Sequence, residues 1–276
     1  KITNKYVDCH AHIIYLMEKL RVNSYVDVEK RLGGFGEHFD GVISQYCDAT
    51  ALSPSFSTWQ TDLEQPLCYG AFGIHPHSAK FYNDSLEARI LEALKHEKAV
   101  ALGEIGLDYA VRNSEPEIQK KVFCQQIKLA VETVNKPVVI HSRKAADDTF
   151  QVLKQNMPKS HTFHVHCFSD SLEDAQRILK EFPNAYFGFT GSITFENQQS
   201  LQQAVTAVPL DRILLETDAP HMAPKPFSKH TLSHPGHIPF IADKIAQLYS
   251  AQTTDTISLN QVLHQARKNT KSVYGF

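Results

Sequence analysis

The chain is predicted to fold as one α/β domain over residues 1–276, a (β/α)8 TIM-type barrel. Three observations carry that prediction. Eight short apolar runs alternate with amphipathic stretches from one end to the other. Strands alternating with helices argue for a parallel sheet with right-handed crossovers, and eight strands close a barrel. The length of 276 residues is close to the roughly 250 typical of that fold. Finally, residues able to do chemistry stand at the C-terminal ends of the runs: His10 and His12, His75, Glu104, His141, His166 and, just past the eighth, Asp218. In a barrel those ends meet at one mouth. In the alternative, an open doubly wound sheet, they would lie along a line, and no Gly-rich phosphate loop follows the first run.

The strand candidates follow in order: Tyr6 to His10, Gly41 to Tyr46, Leu67 to Ile74, Ala99 to Glu104, Pro137 to His141, Thr162 to His166, Ala185 to Gly188 and Arg212 to Glu216. Helical spacing lies between most of them. Residues 85–97 place Leu86, Ile90 and Leu94 four apart, and residues 115–134 carry a stripe of Ile118, Val122, Ile127, Ala130 and Val134. Leu172, Ala175, Ile178 and Leu179 form a third stripe, and Ile238, Ile241 and Ile245 a fourth.

The first run ends in Asp8-Cys9-His10-Ala11-His12. Side chains alternate along a strand, so Asp8, His10 and His12 share a face and both imidazoles can reach one ion. Glu104, His141, His166 and Asp218 complete a set of six. Six ligands exceed what one tetrahedral zinc takes. They suit two divalent ions about 3.5–4 Å apart with a bridging carboxylate, an arrangement that hydrolyses esters. Glu104 and Asp218 are the catalytic carboxylates, with Asp218 placed to take a proton from water. Singly, each residue has a plainer explanation: a histidine as a hydrogen-bonded rim residue, Glu104 as a capping acid, Asp218 as an N-cap. Their joint occurrence at successive strand ends favours the site. The two ions are expected to be Mg2+, Mn2+ or Zn2+: four imidazoles favour Zn2+, Mn2+ or Fe2+ on softness, whereas Mg2+ prefers oxygen.

Composition narrows the partners. Lys+Arg 28 against Asp+Glu 30 gives a net charge of −2, which excludes a positive sheath for non-specific duplex binding. A nucleic-acid substrate would need a local basic site or metal ions. The five cysteines (Cys9, Cys47, Cys68, Cys124, Cys167) contain no Cys-x-x-Cys, which points to a reducing compartment. Cys9 and Cys167 are expected as small barrel-wall residues turned away from the neighbouring histidines. With no signal peptide and no apolar stretch of about 20 residues, the chain is expected to be intracellular and cytoplasmic, without a membrane partner.

Six segments resemble one family. Asp8-Cys9-His10-Ala11-His12, Gly73-Ile74-His75-Pro76-His77, Gly103-Glu104-Ile105-Gly106-Leu107-Asp108-Tyr109, Ile140-His141-Ser142-Arg143, His166-Cys167-Phe168-Ser169 and Leu215-Glu216-Thr217-Asp218-Ala219-Pro220 occur in that order. Together they resemble the TatD-type metal-dependent deoxyribonucleases, a branch of the amidohydrolase-like barrels. The resemblance implies that His10, His12, Glu104 and Asp218 hold one ion and Glu104, His141 and His166 the other. It implies phosphodiester hydrolysis, with 3′ to 5′ trimming of single-stranded DNA and links to RNA and mischarged tRNA. His75, His77, Tyr109 and Arg143 are then the substrate-binding candidates, Arg143 as a bidentate phosphate grip. Tyr109 or Phe168 would stack on a base, and Glu216 would orient a ligand or substrate.

The chain also departs from that pattern. Asp170 stands where glycine is usual, and the segment 22–39, with Gly33-Gly34-Phe35-Gly36, is long. The segment after Asp218 is rich in Pro and His, with Lys225 and Lys229. It is expected to overhang the mouth and to meet substrate phosphates, or a protein partner through residues 221–239. Two other functions fit less of the pattern: a small-molecule ester, amide or lactone hydrolase on the same metal site, and a binding or scaffold protein retaining it.

Overall fold

The computed structural model describes residues 1–53, 58–111, 113–252 and 256–276. All eight apolar runs become strands: β1 (Tyr6–Ala11), β2 (Phe39–Tyr46), β3 (Cys68–Phe72), β4 (Ala99–Asp108), β5 (Val138–Arg143), β6 (Phe163–Val165), β7 (Ala185–Phe189) and β8 (Ile213–Leu215). They pair in parallel, each with the next in sequence. The ring closes above the short β8, where Ala11 bridges Ala219 in parallel.

Among the described residues the helices are α1 (Ile13–Leu20), α2 (Tyr25–Arg31), α3 (Thr58–Leu63), α4 (Asp84–Ala93), α5 (Pro116–Lys128), α6 (Ala146–Asn156), α7 (Leu172–Glu181), α8 (Gln199–Ala207), α9 (Ile238–Ser250) and α10 (Leu259–Tyr274). Their starts follow local chemistry. The Asn83 side chain accepts from Leu86 N–H at the head of α4, and α5 opens with Pro116, whose missing N–H costs nothing there. Ser171 with Asp174 and Ser258 with Gln261 form capping boxes for α7 and α10. The stripe predicted over residues 115–134 is one continuous element, α5 followed by a π-helical turn at Leu129–Val134. The stripe of residues 85–97 ends early, at Ala93. The segment 22–39 contains α2, and Tyr6 O–H donates to Phe35 O across its glycine-rich end.

Two apolar layers hold the barrel. The larger lies between strands and helices and includes Leu102, Ile105, Phe163, Phe187 and Ile241. The smaller joins Cys9, Ile43, Ala71, Ala101, Val139 and Leu214. Val139 and Leu214 precede His141 and Glu216 by two residues, so this plug lies on the strand faces that present those polar side chains at the mouth. No helix among the described residues is long and apolar enough to cross a membrane.

Candidate metal centre

The centre is built at the seam between β1 and β8. β8 ends at Leu215, and the next residues pair with β1 through side chains and loop amides. Asp8 accepts both the Thr217 N–H, at 3.0 Å, and the Thr217 hydroxyl. The Asp218 N–H donates to His10 O at 3.0 Å, and the His12 N–H donates to Ala219 O at 2.8 Å. Asp8 therefore fixes the seam and does not share the ligand face with the histidines. His12 lies just beyond the strand, at the head of α1. It reaches the centre because the seam holds its backbone, not because strand alternation points it there. Asp218 itself sits at φ 50, a left-handed conformation that non-glycine residues adopt at a cost and that clusters at functional sites.

Glu104, fully enclosed on β4, divides the histidines between its two oxygens. Oε2 lies 3.4 Å from His10 Nε2 and 3.6 Å from His12 Nε2. Oε1 lies 2.5 Å from His141 Nδ1, 3.5 Å from His166 Nε2 and 3.6 Å from His75 Nε2. Asp218 Oδ1 is 3.4 Å from His12 Nε2 and 3.9 Å from both His10 Nε2 and His166 Nε2. Ligand-atom sets that fall within 4.8 Å of one another include His10 with His12 and Asp218, His10 with Glu104 and His166, His12 with Cys47 and Glu104, and His75 with Glu104 and His141. The structure thus brings all six predicted ligands together and adds His75 to the Oε1 side.

Burial alone would raise the Glu104 carboxyl, but His166, His75, His10 and His141 outweigh it and hold it well below the usual range. Asp218 is lowered as well: burial raises it, and the His12 hydrogen bond and the nearby imidazoles prevail. Burial and the His166 charge push His10 down to about 4, and burial with His141 depresses His75. Ionised carboxylates and neutral imidazoles are the forms that bind metal. Neither ring nitrogen of His10 has a hydrogen-bond partner, although the residue is fully buried. A buried imidazole with no partner is costly. A cation facing Nε2 between Glu104 and Asp218 would satisfy that nitrogen, so the residues present fit divalent ions.

A surrounding layer orients this set. His166 Nδ1 lies 3.3 Å from Glu216 Oε1, Glu216 Oε2 lies 3.0 Å from His164 Nε2, and His164 Nδ1 lies 2.7 Å from the Tyr274 hydroxyl of α10. The Cys167 N–H donates to Glu216. A Cβ on Gly188 would stand 2.2 Å from His164 Nε2, so glycine is required where β7 passes this pair. On the other side, Asp108 Oδ2 lies 2.9 Å from His77 Nε2 and 3.2 Å from His141 Nε2. Sequence reasoning passed over Asp108 as a site residue. Its four-residue spacing from Glu104 along β4 was the available signal. His164 offered a similar one, two residues before His166.

The remaining candidates divide. His75, His77 and Arg143 line the cavity over the centre, together with His221. Arg143 is exposed, has no carboxylate partner among the described residues, and also lines an adjoining cavity of about 240 Å3 with Ser169, Ser192 and Gln198. Tyr109 lines neither; its hydroxyl donates to Asp148 Oδ2 at 2.7 Å. Phe168 is unavailable for stacking on a base: it is buried and packs edge-on against Phe187, with ring centres 5.2 Å apart. Cys167 departs from its expected place. β6 ends at Val165, and Cys167, at φ 43, turns into the adjoining cavity beside Asp218. Asp170 lines neither cavity; burial and Asp174 push it up to about 6.

Comparison with known proteins bears on this geometry. A family model described as TatD related DNase matches residues 7–275. The human protein named 3'-5' RNA nuclease TATDN2 is 36% identical over 274 residues; the alignment covers 98% of this chain but 35% of that protein, so the chain spans about a third of its length. The protein named 3'-5' ssDNA/RNA exonuclease TatD from Escherichia coli K12 is 31% identical, over 78% of this chain and 85% of that one. Among solved structures, a TatD homologue from Escherichia coli K12 superposes with a TM-score of 0.79 at 24% identity, covering 98% of each chain, which shows the shared barrel.

Proposed function

Because the chain belongs to the TatD related DNase family, we propose that it is a divalent-metal-dependent hydrolase of phosphodiester bonds, trimming single-stranded DNA or RNA from the 3′ end. The observation that carries this proposal is the division of Glu104: one oxygen faces His10 and His12, the other faces His141 and His166. The names of the human and bacterial relatives support both RNA and single-stranded DNA as substrates.

On this proposal His10, His12, Glu104 and Asp218 hold one ion, and Glu104, His141 and His166 hold a second. Such ions, when bound, polarise a phosphoryl oxygen and acidify water. Arg143, which has no carboxylate partner among the described residues, grips a non-bridging phosphate oxygen at the cavity edge. Asp218 is ionised and accepts the proton of the attacking water at its carboxylate. The water oxygen bonds to phosphorus as the bond to the departing sugar oxygen breaks, and that oxygen takes up the proton that Asp218 accepted, leaving a free hydroxyl. His77 and His141 are held by Asp108 from the outer side, which fixes the wall against which the scissile phosphate rests. The five cysteines are all unpaired, which supports a reducing, cytoplasmic setting.

The test is a product-resolved assay with 5′-labelled single-stranded DNA and RNA, using chelated and then metal-restored protein beside Glu104→Gln. A ladder shortening from the 3′ end, lost in the variant, supports the proposal. Intact oligonucleotides with a variant indistinguishable from the parent would refute it and favour a small ester or amide substrate.

A further inference from the structure

We propose that a second binding groove, on the loop after Asp218, holds the 5′ body of a single-stranded nucleic acid upstream of the scissile phosphate. This inference rests on the proposed nuclease function and names what makes the substrate a polymer. Three cavities run in series. The one over the metal centre shares His141, Arg143, His166 and Asp218 with its neighbour of about 240 Å3. That neighbour shares Phe195 with a third cavity of about 390 Å3, lined by Asn197, Lys225, Phe227 and Lys229. A strand leaving the centre past Arg143 therefore crosses Phe195 and enters a chamber with two lysines.

The chemistry of that chamber suits single-stranded nucleic acid. Lys225 and Lys229 are exposed and have no carboxylate partner among the described residues. The chain carries no net positive charge, so unpaired cations beside the mouth are a local feature and not part of a general sheath. Phe195 and Phe227 are half-buried and both line the chamber, Phe227 with its ring packed against His237 and Phe240. Phosphate-pairing lysines interleaved with aromatic rings are how proteins hold single strands without reading sequence. One acid, Glu196, stands on the same wall, against the two lysines.

The groove is also built rigidly. A Cβ on Gly191 would meet Met222 O at 2.0 Å and Pro224 N at 2.7 Å, so the loop lies directly on the turn after β7. The Lys225 N–H donates to Thr194 Oγ1 at 2.8 Å, and the Thr194 hydroxyl donates to Gly191 O at 2.6 Å. The Phe227 N–H donates to Pro224 O at 3.0 Å, and Phe227 packs on His237 with ring centres 4.3 Å apart. A preformed groove binds without the ordering cost of a mobile loop.

The experiment compares kcat/KM for a single-stranded 12-mer and a dinucleotide, in wild type, Lys225→Ala/Lys229→Ala and Phe195→Leu, over a range of salt concentrations. Wild type is expected to prefer the 12-mer. The double variant is expected to cut that preference at least tenfold, through KM, and to flatten the log–log salt dependence by about 1.4, roughly 0.7 per lost phosphate contact on a single strand. Phe195→Leu is expected to reduce the preference without changing the salt slope. An unchanged preference and slope in the double variant would overturn the groove, as would a wild type indifferent to length. A wild type that cleaves neither substrate would instead overturn the nuclease function. Lys225 and Lys229 are exposed, and an unchanged melting temperature would show that the variants fold.

Discussion

Glu104 is the residue on which the centre turns, and its environment explains why an acid survives full burial there. A lone buried carboxylate would take up a proton. Here His166, His75, His10 and His141 keep it ionised. His166 is the counterpart. Burial opposes its charge, but Glu216, Glu104 and Asp218 push it up to about 10. His12 and His141 are raised as well: burial opposes their charge, but Asp218 and Glu104 prevail at His12, and Glu104 and Asp108 at His141. An incoming ion must displace protons, so metal affinity should rise with pH above neutrality. Calorimetry in buffers of different ionisation enthalpy should show protons released on binding; pH-independent affinity would contradict this. Glu216 holds His166 from behind, and outer partners of this kind typically contribute 10–100-fold to metal affinity. Glu216→Gln should therefore weaken metal binding by about that factor, measured by competition with a chromophoric chelator.

At the scale of elements, the strand ends do the positioning, and this is why much of the site was legible in sequence. His10 and His141 stand within two residues of the ends of β1 and β5, His12, His166 and Asp218 just beyond the ends of β1, β6 and β8, and Glu104 inside β4, four residues before its end, so predicting a closed barrel brought them to one mouth. What lay outside that logic were residues past the strand ends. Cys167 adopts φ 43, a turn no hydrophobic pattern reveals; the backbone beyond it carries Phe168 into the core against Phe187 and away from substrate. Tyr109 likewise follows β4 out of the barrel toward α6 and Asp148. Asp108 needed the β4–β5 register, which sets it opposite Arg143 and Gly106 opposite His141. That last pairing is tight: at Gly106, φ +147, a Cβ would lie 1.9 Å from His141 O. Gly106→Ala should destabilise the fold by about 3 kcal/mol or more by overpacking and backbone strain. Denaturant unfolding measures it, and a loss under 1 kcal/mol would show that β4 and β5 separate more easily than described.

For the whole molecule, fold and site share one stabilising element. The β1–β8 seam that closes the barrel also carries His10, His12 and Asp218, so metal and barrel closure should be linked. An ion at about 100 times its Kd adds about 2.7 kcal/mol to the stability of the folded state. For a chain this size that corresponds to a rise of roughly 5–10 °C in melting temperature. Chelation should lower the melting temperature by several degrees and restored metal should recover it; no shift would separate the seam from the centre.

The central claim is that Glu104 divides one site between two ions. The most direct measurement is metal content per chain, by elemental analysis of gel-filtered protein after saturation with Mn2+ or Zn2+, for wild type and Glu104→Gln. Two equivalents are expected in wild type and fewer in the variant, because the amide keeps one oxygen and puts a non-ligating NH2 in place of the other, so one half of the site loses its carboxylate oxygen. One equivalent or none in wild type, or two retained without Glu104, would contradict it.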